Sequence, residues 1–484
     1  MAVLEKNDYE VNLQNWVELE KSAVELIHEV GTLWFDKSIE LVLFRNQLVD
    51  RSASEIMNLH NYAMNVVKQP INVKDTLAIA KEINALSNLT PSKIDIGKLS
   101  AEWLQTKDTG STVKDFVAKQ LNSMLGNTQQ ITPKDVVLYG FGRIGRIAAR
   151  ELISQAGKGE QLRLRAIVTR SNSDQDLEKR ADLLRSDSVH GPFPGPVVVD
   201  YAKKAIIANG HTILMLAAKN PTDLDYTAYD INDALLIDNT GIARNREDLE
   251  QHKLAKGISK VLLTAPASGD VPNIVFGVNS NFDKNETIFS AASCTTNAIV
   301  PVLKVITDNF TIERGHIETV HSYTNDQNLL DNYHPKFRRG RSAAVNLVIT
   351  ETGADKAVSK VLPFLAGKLT GNAVRVPTPN VSLAIMNLTI NKETSVKEVN
   401  EIMRNAALNG DLVEQIQYSF SNELVSSDCV GNPCPSIFDS PATIVSKDGR
   451  NMILYVWYDN EYGYTRQVIR LSKQICNVVR QRYY

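Results

Sequence analysis

From Tyr9 to about Leu125 the apolar positions recur at helical spacing, as in Trp16, Val17, Leu19, Ala23, Val24, Leu26 and Ile27. Leu33, Trp34, Ile39, Leu41, Leu43 and Phe44 read as a continuation of the same pattern. Ser52 followed by Glu55 predicts a capping box that opens a helix, and Thr112 opens another running toward Leu125. Five or six helices follow from this, and with them an all-α N-terminal extension over residues 1–130. The polar, turn-prone stretch from Gly126 to Gln130 ends it.

The pattern then changes period. Val136-Val137-Leu138-Tyr139 predicts a buried strand, and the apolar runs 162–168, 234–237 and 261–263 alternate with helical segments. Such alternation predicts parallel βαβ units and a doubly wound, Rossmann-type α/β sheet over residues 131–293, completed by 458–484. Past Cys294 a helix is expected, then longer strands at 317–320, 381–390 and 452–457 with a helix over 395–407, which predicts a mixed α+β domain over 294–457.

Composition narrows the class without naming a partner. The 484 residues are 43% hydrophobic and 22% charged, as in an ordinary globular protein of two or three domains. A formal net charge of -2 argues against a broadly basic nucleic-acid surface. No apolar run matches a signal peptide or a membrane span, so a cytoplasmic protein is expected. The four cysteines are too few for a disulfide framework. Cys429 and Cys434 lack a second Cys/His pair at zinc-site spacing, and no metal is expected.

Candidate chemistry begins at Gly140-Phe141-Gly142-Arg143-Ile144-Gly145, directly after the first of these strands and before a helix at 147–154. In that context Gly140 permits a tight turn, Gly142 lets backbone N–H groups approach a pyrophosphate and Gly145 allows close helix–strand packing. Ser293-Cys294-Thr295-Thr296-Asn297 precedes an apolar helical pattern, which puts a thiol at a helix N-terminus, where partial positive charge favours thiolate. A thiol nucleophile needs a base. His321, in polar company, has an imidazole of suitable range, whereas His28, His60 and His190 read as structural or solvated.

Together with His321 to Gln327, Arg375 to Val381 and Trp457 to Tyr464, these segments resemble, in order and spacing, the successive signatures of the glyceraldehyde-3-phosphate dehydrogenase family. The resemblance covers roughly 136–476 and leaves the extension outside. It implies that Cys294 adds to an aldehyde, with His321 as base, that hydride passes to NAD, and that inorganic phosphate attacks the resulting thioester to release an acyl phosphate. It further implies that Ser293, Thr295, Thr352, Gly353 and Arg375 surround the attacking phosphate, while Thr324, Arg339 and Arg375 hold the substrate's own phosphate. On the cofactor side it implies Arg143 and Ile144 in the glycine loop, Thr264 along the dinucleotide and Asn460 on the carboxamide. Lys219 stands where the family often has arginine. Glyceraldehyde 3-phosphate is the implied substrate, in glycolysis or gluconeogenesis, and a homotetramer the implied assembly. The alternatives are an erythrose-4-phosphate dehydrogenase, or a regulatory or binding protein on a retained dehydrogenase scaffold.

Three features depart from the family pattern. The acid expected about twenty residues past the glycine turn, for the adenosine ribose, is missing, because the strand ends Val168-Thr169-Arg170 and the nearest acid is Asp174. NADP is therefore an expected alternative to NAD, with Arg170 as a candidate partner of its 2′-phosphate. Ala298 replaces a cysteine that many members carry four residues after the nucleophile. The third departure is the helical extension.

Overall fold

The structure, a computed structural model, describes residues 6–106, 110–126, 131–350 and 353–484. The chain divides into two compact units, one of Met1–Ile131, Leu408–Val413 and Val479–Tyr484, the other of Thr132–Ala407 and Glu414–Val478.

Among its described residues the first unit has five α-helices, Lys6–Lys37, Ala53–Val67, Val73–Ala85, Ile96–Thr106 and Val113–Gln120, around a core that includes Leu26, Leu33, Ile56, Ile79 and Leu99. The capping box is present: Ser52 accepts from the Glu55 N–H, and the Glu55 carboxylate accepts from the Ser52 N–H at 2.8 Å. The all-α expectation needs correction. A four-stranded sheet runs in the order Asn46–Gln47, Glu40–Leu43, Ser92–Asp95, Gln481–Tyr483. The stretch at 39–44, read as helix, holds a central strand. The first helix stops at Lys37, Ser38 turns the chain at φ 58, and of the four successive buried positions that follow, Glu40, Leu41 and Val42 pair in parallel with Lys93, Ile94 and Asp95. A four-residue apolar run carries no period, so pairing decides its conformation. The Asp95 carboxylate fixes the next turn by accepting from the N–H groups of Phe44 at 2.9 Å and Arg45 at 3.2 Å.

The fourth strand comes from the far end of the chain, where Gln481–Tyr483 pairs in parallel with residues 92–94 and the Arg480 guanidinium lies over the Trp34 ring. The last six residues thus belong to this unit, which corrects their expected place in the α/β domain.

In the second unit Lys134–Tyr139 is the middle strand of a parallel core. Leu162–Thr169 and His211–Ala217 lie on one side of it, and Ala234–Asp238, Ile258–Leu263 and Ile288–Ser290 on the other. An antiparallel pair, Ala205–Ala208 and Val197–Asp200, extends one edge. Strand order reverses at Lys134–Tyr139, and ligands of such sheets bind outside the strand ends at that point. The second sheet is mixed, in the order Val348–Thr350, Leu369–Val376, Ile312–Ser322, Ser382–Ile390, Asn451–Tyr458, Ser436–Asp439, Ile416–Ser419. Helix Cys294–Asn309 packs on it. The doubly wound domain and the mixed α+β domain are therefore as expected from the sequence.

Candidate active site

At the switch point the backbone requires glycine at two positions of the turn and leaves the third facing open space. Gly140 is left-handed at φ +95 and donates its N–H to Val168 O at 3.0 Å. Gly142 caps helix Arg143–Ser154 without any side-chain hydrogen bond and faces open space. A Cβ at Gly145 would lie 2.4 Å from Gly140 O, so only glycine lets the helix sit this close to the turn. The first N–H groups of that helix lack intrahelical partners and suit a pyrophosphate.

Two cavities open here and share Thr240. The smaller, about 340 Å³, is lined by residues that include Gly140, Gly142, Thr169, Arg170, Arg180 and Lys219. The larger, about 700 Å³, is lined by residues that include Ile144, Thr264, Ser293, Cys294, His321 and Asn460. Thr264 donates its hydroxyl to Asp238 O at 3.0 Å. Asn460 is fixed through its oxygen, which accepts from Ser322 Oγ at 2.8 Å and Ser382 Oγ at 3.1 Å, so its NH₂ is the group left for a ligand. Arg143 also borders the larger cavity, but its guanidinium is held by Asp187, at 3.0 and 3.1 Å, and by Glu461. Burial works against the Asp187 charge, yet these bonds and two backbone N–H donors hold its carboxyl well below the usual range. The residues that the glycine turn and helix N-terminus supply, with Thr264 and Asn460, fit a dinucleotide.

Cys294 is the first residue of its helix, and Ser293 caps that helix by accepting from the Thr296 N–H at 3.0 Å. Just before it Ala292 is left-handed at φ 55, a conformation that costs a residue with a Cβ about 1–3 kcal/mol. Two bonds hold it: its N–H donates to Ser290 Oγ and its carbonyl accepts from the Tyr464 hydroxyl, each at 3.0 Å. Sγ of Cys294 faces Nε2 of His321 at 3.6 Å. Burial pushes the Cys294 thiol up, against the downward shift expected from the helix N-terminus, while Arg375 opposes the effect of burial.

His321 and Arg375 are register partners on adjacent parallel strands. His321 Nδ1 lies 2.7 Å both from Ser322 O, which only accepts, and from Arg375 Nη1, which only donates, so these neighbours favour opposite tautomers; the tautomer with its proton on Nδ1 is the one that turns the Nε2 lone pair toward the thiol. Arg375 donates to the same carbonyl at 2.9 Å, which brings its Nη1 within 2.7 Å of Nδ1. Burial, and then this cation, push His321 down to about 3.

The candidate phosphate residues are only partly gathered. Ser293, Thr324 and Arg375 line the larger cavity. Thr295 is buried with its hydroxyl 2.9 Å from that of Tyr458. Arg339 ion-pairs with Asp326, which also accepts from the Thr324 hydroxyl, so a carboxylate occupies the partners expected for a substrate phosphate. Gly353 caps helix Ala354–Val361 and is not one of the residues lining the cavity, and Thr352 lies outside the described residues. Asp326 and Arg180 were not singled out from the sequence. Asp326 stands inside the histidine motif and was legible there, whereas Arg180 sits mid-helix with no motif to mark it. Cys429 and Cys434 are buried free thiols.

Comparison with known proteins gives the family of the two domains. A family model described as the glyceraldehyde 3-phosphate dehydrogenase NAD binding domain matches residues 134–246, and one described as the C-terminal domain matches residues 293–460. The chain is 47% identical over 458 residues to the glyceraldehyde-3-phosphate dehydrogenase-like protein of Pseudomonas aeruginosa (strain UCBPP-PA14), covering 94% of this chain and 98% of that one. It is 42% identical over 340 residues to glyceraldehyde-3-phosphate dehydrogenase of Priestia megaterium, covering 70% of this chain and 97% of that one. To glyceraldehyde-3-phosphate dehydrogenase 1 of Bacillus subtilis it is 41% identical over 342 residues, covering 70% and 97%. The first match covers so much of the chain that it takes in most of the N-terminal unit.

Proposed function

The chain belongs to the glyceraldehyde-3-phosphate dehydrogenase family, oxidoreductases with an NAD-binding domain, and on that premise we propose that it oxidises glyceraldehyde 3-phosphate to 1,3-bisphosphoglycerate. The observation that carries this is the 3.6 Å approach of Cys294 Sγ to His321 Nε2 in a cavity that Arg375 and Asn460 also line.

Cys294 loses its proton to Nε2, its sulfur bonds to the aldehyde carbon as the carbonyl π bond opens, and the imidazolium returns the proton to the carbonyl oxygen, giving a thiohemiacetal and a neutral His321. His321 then accepts the hydroxyl proton as hydride leaves that carbon, and a thioester remains. The nicotinamide, when bound, supplies the hydride acceptor, and the Asn460 NH₂ would donate to its carboxamide. Phosphate adds to the thioester carbonyl, the carbon–sulfur bond breaks, and the acyl phosphate departs from a regenerated thiolate. Arg375 and Ser293, which line the cavity, would meet that phosphate. Thr324, with Arg339 freed from Asp326, would hold the phosphate that the substrate already bears.

Every step is reversible, so the same residues serve glycolysis or gluconeogenesis. Leu329, Leu330, Tyr333, Phe337, Val345 and Leu347 expose a run of apolar side chains within nineteen residues of one segment, which supports a homo-oligomer such as a tetramer. Among the described residues no helix is long and apolar enough to cross a membrane, and a cytoplasmic enzyme is the matching setting. The test is a steady-state assay with NAD, phosphate and either glyceraldehyde 3-phosphate or erythrose 4-phosphate. Phosphate-dependent NADH formation with the triose as the better substrate is expected. No turnover, or a preference for the tetrose, overturns the proposal.

A further inference from the structure

We propose that the smaller cavity is a subsite for the 2′-phosphate of NADP, formed by Arg170, Arg180 and Lys219, so that the enzyme takes both dinucleotides. This rests on the reading of the Gly140–Gly145 turn as a dinucleotide site.

The cavity lies beside Gly140 and Gly142 at the end of strand Leu162–Thr169, where an acid would hold the adenosine ribose of NAD. The strand ends at Thr169, whose hydroxyl donates to Ser171 O at 2.8 Å, and the next residue, Arg170, borders the cavity. Lys219 reaches it from just beyond His211–Ala217, and Arg180 from helix Asp174–Arg185. Three elements thus bring three cations to one space, and among the described residues lining it there is no carboxylate.

The nearby acids are engaged elsewhere. Asp174 pairs with Lys204 at 2.7 Å. Asp176 accepts the hydroxyls of Ser171 and Ser173, and acts on Arg180 only through its field. Asp223 accepts the backbone N–H groups of Lys219 and Asn220. Nε of Arg180 is buried without a hydrogen-bond partner, an arrangement that costs free energy until an acceptor arrives. A neutral ribose hydroxyl leaves the mutual repulsion of three cations in place. A phosphate dianion removes it and accepts their N–H groups in charge-assisted bonds. With no carboxylate lining the cavity, no acid stands in the place from which it would exclude that dianion.

The test uses the full chain and titration calorimetry with two probes, adenosine 2′,5′-bisphosphate and adenosine 5′-monophosphate. The bisphosphate is expected to bind about tenfold tighter or more at low salt. That advantage should shrink as salt rises, and approach unity in the double variant Arg170→Gln/Arg180→Gln. The NADP-to-NAD ratio of kcat/KM should fall by a similar factor in the same variant. Equal affinities for the two probes in the wild type overturn the subsite while leaving the dinucleotide site standing. If neither probe binds, the dinucleotide reading of the glycine turn fails and the subsite with it.

Discussion

Nη1 of Arg375 lies 2.7 Å from Nδ1 of His321, on the side of the ring away from Cys294. The parallel register that sets the two residues opposite each other makes this approach a property of the sheet rather than of a loop. A guanidinium so close raises the cost of an imidazolium, and burial adds to it, so the unliganded pair is a neutral thiol facing a neutral imidazole. An anion seated on Arg375 lowers that cost. Substrate and phosphate would therefore improve the base that serves them.

The depressed His321 has a consequence for stability against pH. Its folded value of about 3 lies below the unfolded value of about 6.5, so between these the unfolded chain binds a proton that the native one does not. The stability this group contributes is whole above pH 6.5 and is lost as pH falls toward 3. Between pH 7.5 and 5 the wild type should lose about 2 kcal/mol that His321→Gln does not lose. Urea unfolding of both proteins at the two pH values measures this, and parallel losses would show that His321 is not depressed.

Cys294→Ser should abolish aldehyde oxidation, because the alkoxide it would need forms far less readily than a thiolate beside the same imidazole. His321→Asn should lower kcat by about 10²–10⁴-fold, the range for loss of a general base, with the thiol reacting more slowly with iodoacetamide at neutral pH. Progress curves and alkylation rates are the measurements. Oxidation near the wild-type rate in the serine variant is incompatible with the thioester route.

The catalytic centre was largely legible because its residues stand in short motifs at element ends, where a glycine turn or a cysteine before an apolar helix has few alternative meanings. What was not legible is long-range. Nothing local says that Arg375 lies opposite His321, that Arg180 joins Arg170, or that Asp326 takes the Arg339 guanidinium. The same limit explains the N-terminal unit. Glu40–Leu43 has no readable period, and the strand that completes its sheet lies nearly four hundred residues away, at 481–483.

That distant strand makes the two ends of the chain interdependent. Removing residues 479–484 takes away a parallel partner of Ser92–Asp95, the Arg480 cation over Trp34 and the bond from Lys98 to Tyr484 O. The first unit should then unfold at lower temperature than in the full chain, while a chain of residues 132–478 keeps aldehyde oxidation. Differential scanning calorimetry with an activity assay separates these effects. An unchanged melting profile after the six-residue deletion would show that the strand adds nothing to that unit.

The glycine turn gives a paired prediction, because two of its glycines differ in what a methyl group would meet. At Gly142 φ is −74 and a Cβ finds open space, so alanine should fold with little loss beyond a weaker helix cap, a matter of about 1 kcal/mol or less. Its new methyl group borders the smaller cavity, on the path of backbone N–H groups toward a pyrophosphate, so NAD affinity should fall even though the fold survives. At Gly145 the Cβ would stand 2.4 Å from Gly140 O and 3.2 Å from its carbonyl carbon. Those are backbone atoms of a residue already committed to a left-handed turn, so relief requires the helix to back away from the sheet, at about 1–3 kcal/mol or more. Gly145→Ala should therefore lower both Tm and NAD affinity, and Gly142→Ala mainly the affinity. Thermal unfolding and NAD titration of the two variants test this. If Gly145→Ala melts with the wild type and binds NAD unchanged, the helix does not approach the turn as closely as this geometry requires.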